Sequence, residues 1–178
     1  HNATTAAIAI AASEVMRPEF KRYAKQIRKN ANALAKALQK EGLKLVGDGT
    51  ETHLILVDLT TLGFGLGKQV SVAMDVAGIY ANRNTIPNEP VSPFYPSGVR
   101  LGTPLVTTRG MKEAEMKQIA NWIARVANHV KKFQLPEEKT ERSGFLKQYT
   151  KDIQTDKVLL GMFDEVKQVT KNFPLFQW

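Results

Sequence analysis

The spacing of apolar residues predicts five helices along the chain. Residues 2–15 are rich in alanine and isoleucine and apolar almost all round, which predicts a buried helix. From Pro18 to Leu38 apolar residues recur at intervals of three and four, and Gly42 then supplies a left-handed cap. Gly78 is placed to cap a later helix in the same way. The predicted helices cover 2–15, 18–41, about 68–77, a stretch that opens at Thr107, and about 155–172.

Extended segments alternate irregularly with these helices. The strand candidates are 43–46, 53–59, 79–82 and 99–102. The nearly continuous apolar run of 53–59 predicts a strand that is covered on both faces. Because the order has no regular βαβ rhythm, it predicts an α+β fold with a small, mostly antiparallel sheet and helices packed on it. Residues 131–154 are polar and irregular, which predicts a linker.

Composition narrows the possible functions. The chain has 178 residues, of which 43% are apolar and 24% charged, and this balance indicates a folded domain. The net charge of +8 favours an anionic partner, or else only a solvated basic surface. Lysines and arginines are scattered along the chain, so we expect no nucleic-acid partner. No apolar run approaches the roughly 20 residues of a membrane span, so we expect no membrane partner either.

The number and spacing of cysteine and histidine residues argue against a metal site. The chain has no cysteine, which excludes disulfides and thiolate metal sites and fits a cytoplasmic location. Its three histidines lie far apart, so we expect no metal site. His53 opens an apolar strand, where a hydrogen-bonded structural histidine is expected.

The most informative segment is a proline-rich loop that leads into a strand. Four of the eight prolines fall between Pro87 and Pro96. Proline removes a backbone donor and fixes φ, so this run predicts a stiff, ordered loop, and long loops in compact domains are usually functional. Arg100 follows in a short strand and is expected to be buried there. An arginine is suited to hold a carboxylate or phosphate by two parallel hydrogen bonds.

From the residues alone, the best candidate site is Arg100 surrounded by three small polar residues, namely Asn84, Ser92 and Ser97. Such a set predicts a binding site for an anionic small molecule and offers no obvious nucleophile or base.

This loop and its flanks resemble the serine hydroxymethyltransferase family, also called glycine hydroxymethyltransferase. Four runs occur in the order and spacing of that family: Asn-Thr-Ile-Pro-Asn at 84–88, Ser-Pro-Phe at 92–94, Ser-Gly-Val-Arg-Leu-Gly-Thr-Pro at 97–104, and Thr-Thr-Arg-Gly at 107–110. His-Leu-Ile-Leu-Val-Asp-Leu at 53–59 and Phe-Pro-Leu at 173–175 are also similar. The resemblance covers essentially the whole chain and is loosest over 131–154. One departure is Tyr95-Pro96, which stands where the family usually has small residues.

The resemblance implies an activity and roles for named residues. Family members use pyridoxal phosphate to interconvert serine and tetrahydrofolate with glycine and 5,10-methylenetetrahydrofolate. Arg100 matches the residue that binds the α-carboxylate of the amino-acid substrate. Asn84 matches a folate contact, and Ser92, Pro93 and Phe94 match the loop beside the folate. Arg109 matches a second arginine near the site, for which we expect a structural role. No catalytic residue and no metal ligand is implied here.

The resemblance also implies that the chain is the C-terminal portion of such an enzyme. The family's motif with the cofactor-binding lysine is absent from this sequence. Residues 1–41 then correspond to the end of the large domain and two linking helices, and 42–178 to the small domain of a fold-type I pyridoxal-phosphate transferase. We expect this portion to be inactive alone, to bind no cofactor tightly, and to work with the missing large domain in a homodimer or larger assembly.

Two alternatives remain open from the sequence. The chain could be a stand-alone binding or regulatory module derived from the same fold. Its charge also leaves room for a basic RNA-binding domain.

Overall fold

The computed structural model describes residues 1–175, which form seven α-helices and four β-strands. The helices are α1 (Asn2–Val15), α2 (Pro18–Lys40), α3 (Gly67–Val76), α4 (Pro104–Thr108), α5 (Glu113–Val130), α6 (Arg142–Asp152) and α7 (Lys157–Thr170). The strands are β1 (Lys44–Leu45), β2 (Leu54–Asp58), β3 (Asn82–Asn84) and β4 (Gly98–Gly102). They form one sheet in the order β1-β2-β4-β3, and all three pairings are antiparallel. The predicted α+β fold is confirmed.

The sheet has one buried face and one open face. On the buried face, β2 and β4 contribute four side chains to the core, Ile55, Val57, Val99 and Leu101. The alternate positions of both strands point the other way, and Leu54 there is 40% exposed. The expectation that 53–59 is covered on both faces is therefore wrong for the described residues. This is a one-sided layer, in which helices cover a single face of the sheet.

The core lies between this sheet face and the helices. The second half of α2 contributes Leu34 and Leu38, and α5 contributes Met116, Ile123 and other fully buried residues. By contrast, α1 has no buried residue, and Ile8 and Ile10 are 64% and 62% exposed. The expectation of a buried first helix is wrong within residues 1–175, because no element there covers its apolar surface.

Several predicted boundaries also change. Residues 131–154 are not a linker, because α6 lies within them and buries Leu146 and Tyr149. The predicted strand 79–82 moves to β3. Thr107 does not open a helix but lies in the short α4, and the chain then turns at Gly110, where φ is +88°. The caps at Gly42 and Gly78 are confirmed by φ values of +84° and +77°. Phe176, Gln177 and Trp178 lie outside the described residues.

Candidate functional site

Arg100 lies on the open face of the sheet. In β4 it is opposite Leu56 of β2 and Asn82 of β3. Its neighbours Val99 and Leu101 take the core face, so the alternation of the strand turns Arg100 outward. The expectation of a buried arginine is therefore wrong: the side chain is exposed. Within residues 1–175 it has no salt-bridge partner, and its five N–H donors are available.

Arg100 lines an open groove of about 750 Å³. The polar and aromatic side chains around it are His53, Asp75, Tyr80 and Asn82. Desolvation raises the pKa of the Asp75 carboxyl. His53 is exposed, and its imidazole has no hydrogen-bond partner in the described chain, so the expectation of a hydrogen-bonded structural histidine is wrong. The groove therefore combines the positively charged Arg100 side chain with groups that can donate or accept hydrogen bonds.

Sequence reasoning missed all four of these groove residues as parts of a site. His53 reaches the groove because its carbonyl accepts the Thr103 N–H at 3.2 Å, next to the end of β4. Asp75 lies in the last turn of α3, Tyr80 lies in the connection from α3 to β3, and Asn82 begins β3. The antiparallel register of β2 on β4 is the only signal that could have pointed to His53, since it pairs Leu54 with Gly102.

Asn84 ends β3 on the same face as Arg100. It pairs with Gly98 of β4, and its side-chain amide donates to the Thr85 carbonyl at 2.7 Å. A Cβ at position 98 would come within 2.8 Å of the Asn84 carbonyl oxygen and 2.9 Å of the Val57 carbonyl oxygen. Glycine at 98 thus permits the close strand pairing that sets Asn84 beside β4.

The tip of the proline-rich loop exposes an aromatic ring. The Tyr95 N–H donates to the Ser92 carbonyl at 3.0 Å and closes a tight turn around Pro93 and Phe94. Phe94 is 84% exposed. The Arg142 guanidinium lies 5.7 Å from the centre of the Tyr95 ring. The start of α6 therefore packs against Tyr95, one of the two residues that differ from the usual family sequence.

Ser97 does not join Arg100, contrary to the interpretation from the residues alone. It is fully buried, and its hydroxyl is hydrogen-bonded to Glu89 and to the Gly65 N–H. Neither Ser92 nor Asn84 lines the groove of Arg100. The structure therefore separates Arg100 in the groove from a second cluster on the loop.

Arg109 lies on a different surface. It follows α4, and its Nη2 donates to the Thr170 carbonyl at the end of α7 at 3.0 Å. Its Nε is buried without a partner in the described residues, and it lines a mainly apolar cavity of about 470 Å³. These contacts join α4 to α7, which is compatible with the expected structural role.

Comparison with known proteins decides the family. A family model described as serine hydroxymethyltransferase matches residues 1–123. The chain belongs to the serine hydroxymethyltransferase family. The enzyme of that name from Acidothermus cellulolyticus is 48% identical over 174 residues, which are 98% of this chain and 36% of that protein.

Two further relatives agree. The serine hydroxymethyltransferase from Sorangium cellulosum is 52% identical over 130 residues, 73% of this chain and 30% of that protein. The one from Acidobacterium capsulatum is 41% identical over 173 residues, 97% of this chain and 35% of that protein. The chain thus spans about a third of the length of the curated relatives it matches.

Serine hydroxymethyltransferases are pyridoxal-phosphate-dependent transferases, so the groove can be tested against that cofactor. A pyridoxal-phosphate site needs a lysine for the covalent link and a charged partner for the pyridine nitrogen. No lysine lines the groove of Arg100. This groove therefore does not fit the cofactor by itself. Within residues 1–175 there is also no cluster of histidine and carboxylate side chains that could hold a metal ion, and no helix suited to crossing a membrane.

Proposed function

We propose that this chain is the C-terminal part of a glycine hydroxymethyltransferase, the enzyme that interconverts serine and tetrahydrofolate with glycine and 5,10-methylenetetrahydrofolate. The observation that carries the proposal is the Arg100 guanidinium, which has no salt-bridge partner within residues 1–175 and lies in an open groove, beside an ordered proline-rich loop. Family membership and the separate loop cluster support it. No observation favours the stand-alone module or the RNA-binding domain.

In this proposal Arg100 binds the α-carboxylate of serine or glycine. The planar guanidinium can donate two parallel N–H bonds to the two carboxylate oxygens. A two-point contact of this kind fixes the orientation of the substituents at Cα, and correct orientation lowers the barrier of the reaction that follows. Arg100 thus positions the substrate and does not itself exchange a proton.

The folate binds along the loop in the same proposal. Asn84 offers an amide that can hydrogen-bond a heterocycle, and Phe94 offers an exposed ring on which a planar group can stack. Ser92 and Pro93 set the turn that presents this ring. The loop begins at the end of β3, beside the open face of the sheet that carries Arg100. This arrangement would bring the folate and the amino-acid substrate to one region.

The remaining parts of the active site would come from polypeptide outside this chain. We infer that residues 1–41 link to a larger domain that carries the cofactor and that 42–178 form the small domain, in a dimeric or larger enzyme. The exposed apolar surface of α1 supports this division, because such a surface is normally covered in the working protein.

The proposal is tested by comparing the chain of 178 residues with the full-length enzyme. With pyridoxal phosphate, serine and tetrahydrofolate, we expect the full-length enzyme to release glycine and the chain alone to show no turnover. After borohydride reduction, mass spectrometry should find no cofactor on a lysine of the isolated chain. Specific reduction onto one lysine of this chain would contradict the proposal, as would a full-length enzyme that does not act on serine.

A further inference from the structure

One carboxylate, that of Glu89, organises the proline-rich loop from within. Its Oε2 accepts the Ser97 N–H at 2.9 Å and the Ile86 N–H at 3.3 Å. Its Oε1 accepts the Ser97 hydroxyl at 2.6 Å and the Val91 N–H at 3.4 Å. Four donors from the start, middle and end of the loop therefore converge on one side chain.

A second set of hydrogen bonds attaches this cluster to the rest of the fold. The Ser97 hydroxyl oxygen accepts the Gly65 N–H at 2.9 Å. The Ser97 carbonyl accepts the Leu59 N–H at 2.9 Å, and the Pro96 carbonyl accepts the Gly67 N–H at 2.8 Å. The loop is thus fixed both to the end of β2 and to the start of α3.

The composition of the loop explains why it depends on a side chain. Each of its four prolines lacks an N–H donor, so the loop cannot be held by a regular ladder of backbone bonds. Buried backbone N–H groups still need acceptors. A carboxylate has two oxygens that can accept several bonds at once, and bonds to an ionised acceptor are stronger than neutral ones.

We propose that Glu89 is a positioning residue for folate binding, an inference that rests on the proposed function. Through Ile86 and Ser97 it fixes the two ends of the loop next to the pairing of Asn84 with Gly98. Through Val91 it sets the approach to the turn that exposes Phe94. The folate contacts on this loop are thereby preorganised, while Arg100 lies on β4, and none of the four hydrogen bonds to Glu89 comes from that strand.

The test uses Glu89→Gln in the full-length enzyme. The substituted amide keeps the size of the side chain, but its nitrogen would face N–H or O–H donors that now lack an acceptor. We expect the KM for folate to rise about tenfold, close to the low end of the effect of losing one hydrogen bond to a charged group. Binding of serine without folate should stay within about twofold, since its contact is on β4. Glu51→Gln is the matched control, because Glu51 is exposed and makes no hydrogen bond in the described chain.

Amide hydrogen exchange gives a readout that does not depend on activity. In Glu89→Gln we expect faster exchange across 86–97 and at Gly65, with the strands unchanged. Unchanged exchange in the loop would overturn the inference and leave the proposed function standing. Faster exchange with an unchanged KM for folate would instead overturn the folate role of the loop.

Two milder variants test the same inference if the Glu89→Gln protein does not fold. Glu89→Asp keeps the charge but is shorter by one methylene, so its KM for folate should fall between those of the wild type and Glu89→Gln. Ser97→Ala removes only the hydroxyl that links Glu89 to Gly65 and should speed exchange at Gly65. If neither variant changes the loop's exchange, Glu89 does not position it.

Discussion

At the scale of single residues, Glu165 connects two helices through a dense set of contacts. Its carboxylate accepts the Arg125 Nη1 and Nη2 donors at 2.7 and 2.9 Å and the Trp122 Nε1 donor at 3.0 Å. The hydrogen bond to Arg125, and to a smaller extent the bond to Trp122, lowers the pKa of Glu165 to about 2. The carboxylate is therefore held ionised well into acid.

This pKa predicts the pH dependence of one part of the stability. A carboxyl whose pKa is lower in the folded state stabilises the fold fully above its unfolded pKa, about 4.5, and loses that effect as the pH falls toward 2. Because the pair is nearly half exposed, we expect Glu165→Gln to lower the free energy of unfolding by less than about 1 kcal/mol at pH 7. Urea unfolding of both proteins at pH 7 and pH 3 should show a smaller difference at pH 3. An equal difference at both values would contradict this.

Single residues also show what the sequence can and cannot predict. Gly42 and Gly78 were predictable because a left-handed cap needs glycine. The exposure of Arg100 could also have been predicted from the sequence, since the apolar residues Val99 and Leu101 on either side of it occupy the core face. The role of Glu89 was not, because two of its four donors lie on Ser97, at the far end of the loop, and no period of helix or strand relates them.

At the scale of elements, Asp156 joins two helices at their ends. Its Oδ1 accepts the Val158 and Leu159 N–H groups at 2.9 and 3.1 Å and caps α7. Its Oδ2 lies 2.9 Å from Nε2 of His129, near the end of α5. The side chain therefore both starts α7 and attaches it to α5.

Removal of this cap should be measurable. We expect Asp156→Ala to reduce the free energy of unfolding by about 1–2 kcal/mol, the usual range for a lost N-cap. Asp156→Asn keeps an acceptor for the cap and should retain more than half of that stability. Urea unfolding at pH 7 measures both variants. An Asp156→Ala protein with the wild-type free energy of unfolding would show that the cap is not needed.

The elements also show where sequence patterns mislead. The polar composition of 131–154 hid α6, although Leu146, Tyr149 and Ile153 form a buried stripe at helical spacing. Tyr149 additionally donates its hydroxyl to the Gln69 carbonyl at 2.9 Å, a contact across 80 positions that no local pattern reveals. Tertiary packing decided this helix, and the same limit applies to the exact ends of β3.

At the scale of the whole molecule, two surfaces are notable for their exposure within residues 1–175. One is α1, whose apolar side chains are exposed throughout the described chain. The other is the open face of the sheet, with Arg100 and its groove. Since the chain spans about a third of its relatives, both surfaces are expected to lie against the larger part of the enzyme.

The most direct test of the central claim is the affinity of the full-length enzyme for serine, measured by calorimetry. We expect Arg100→Ala to lose about 2–5 kcal/mol of binding, the usual cost of truncating a paired charge, with the unfolding midpoint unchanged. Arg83→Ala is the control, since Arg83 is also an exposed strand arginine. If Arg100→Ala binds serine within about twofold of the wild type, less than about 0.5 kcal/mol, Arg100 does not hold the substrate carboxylate.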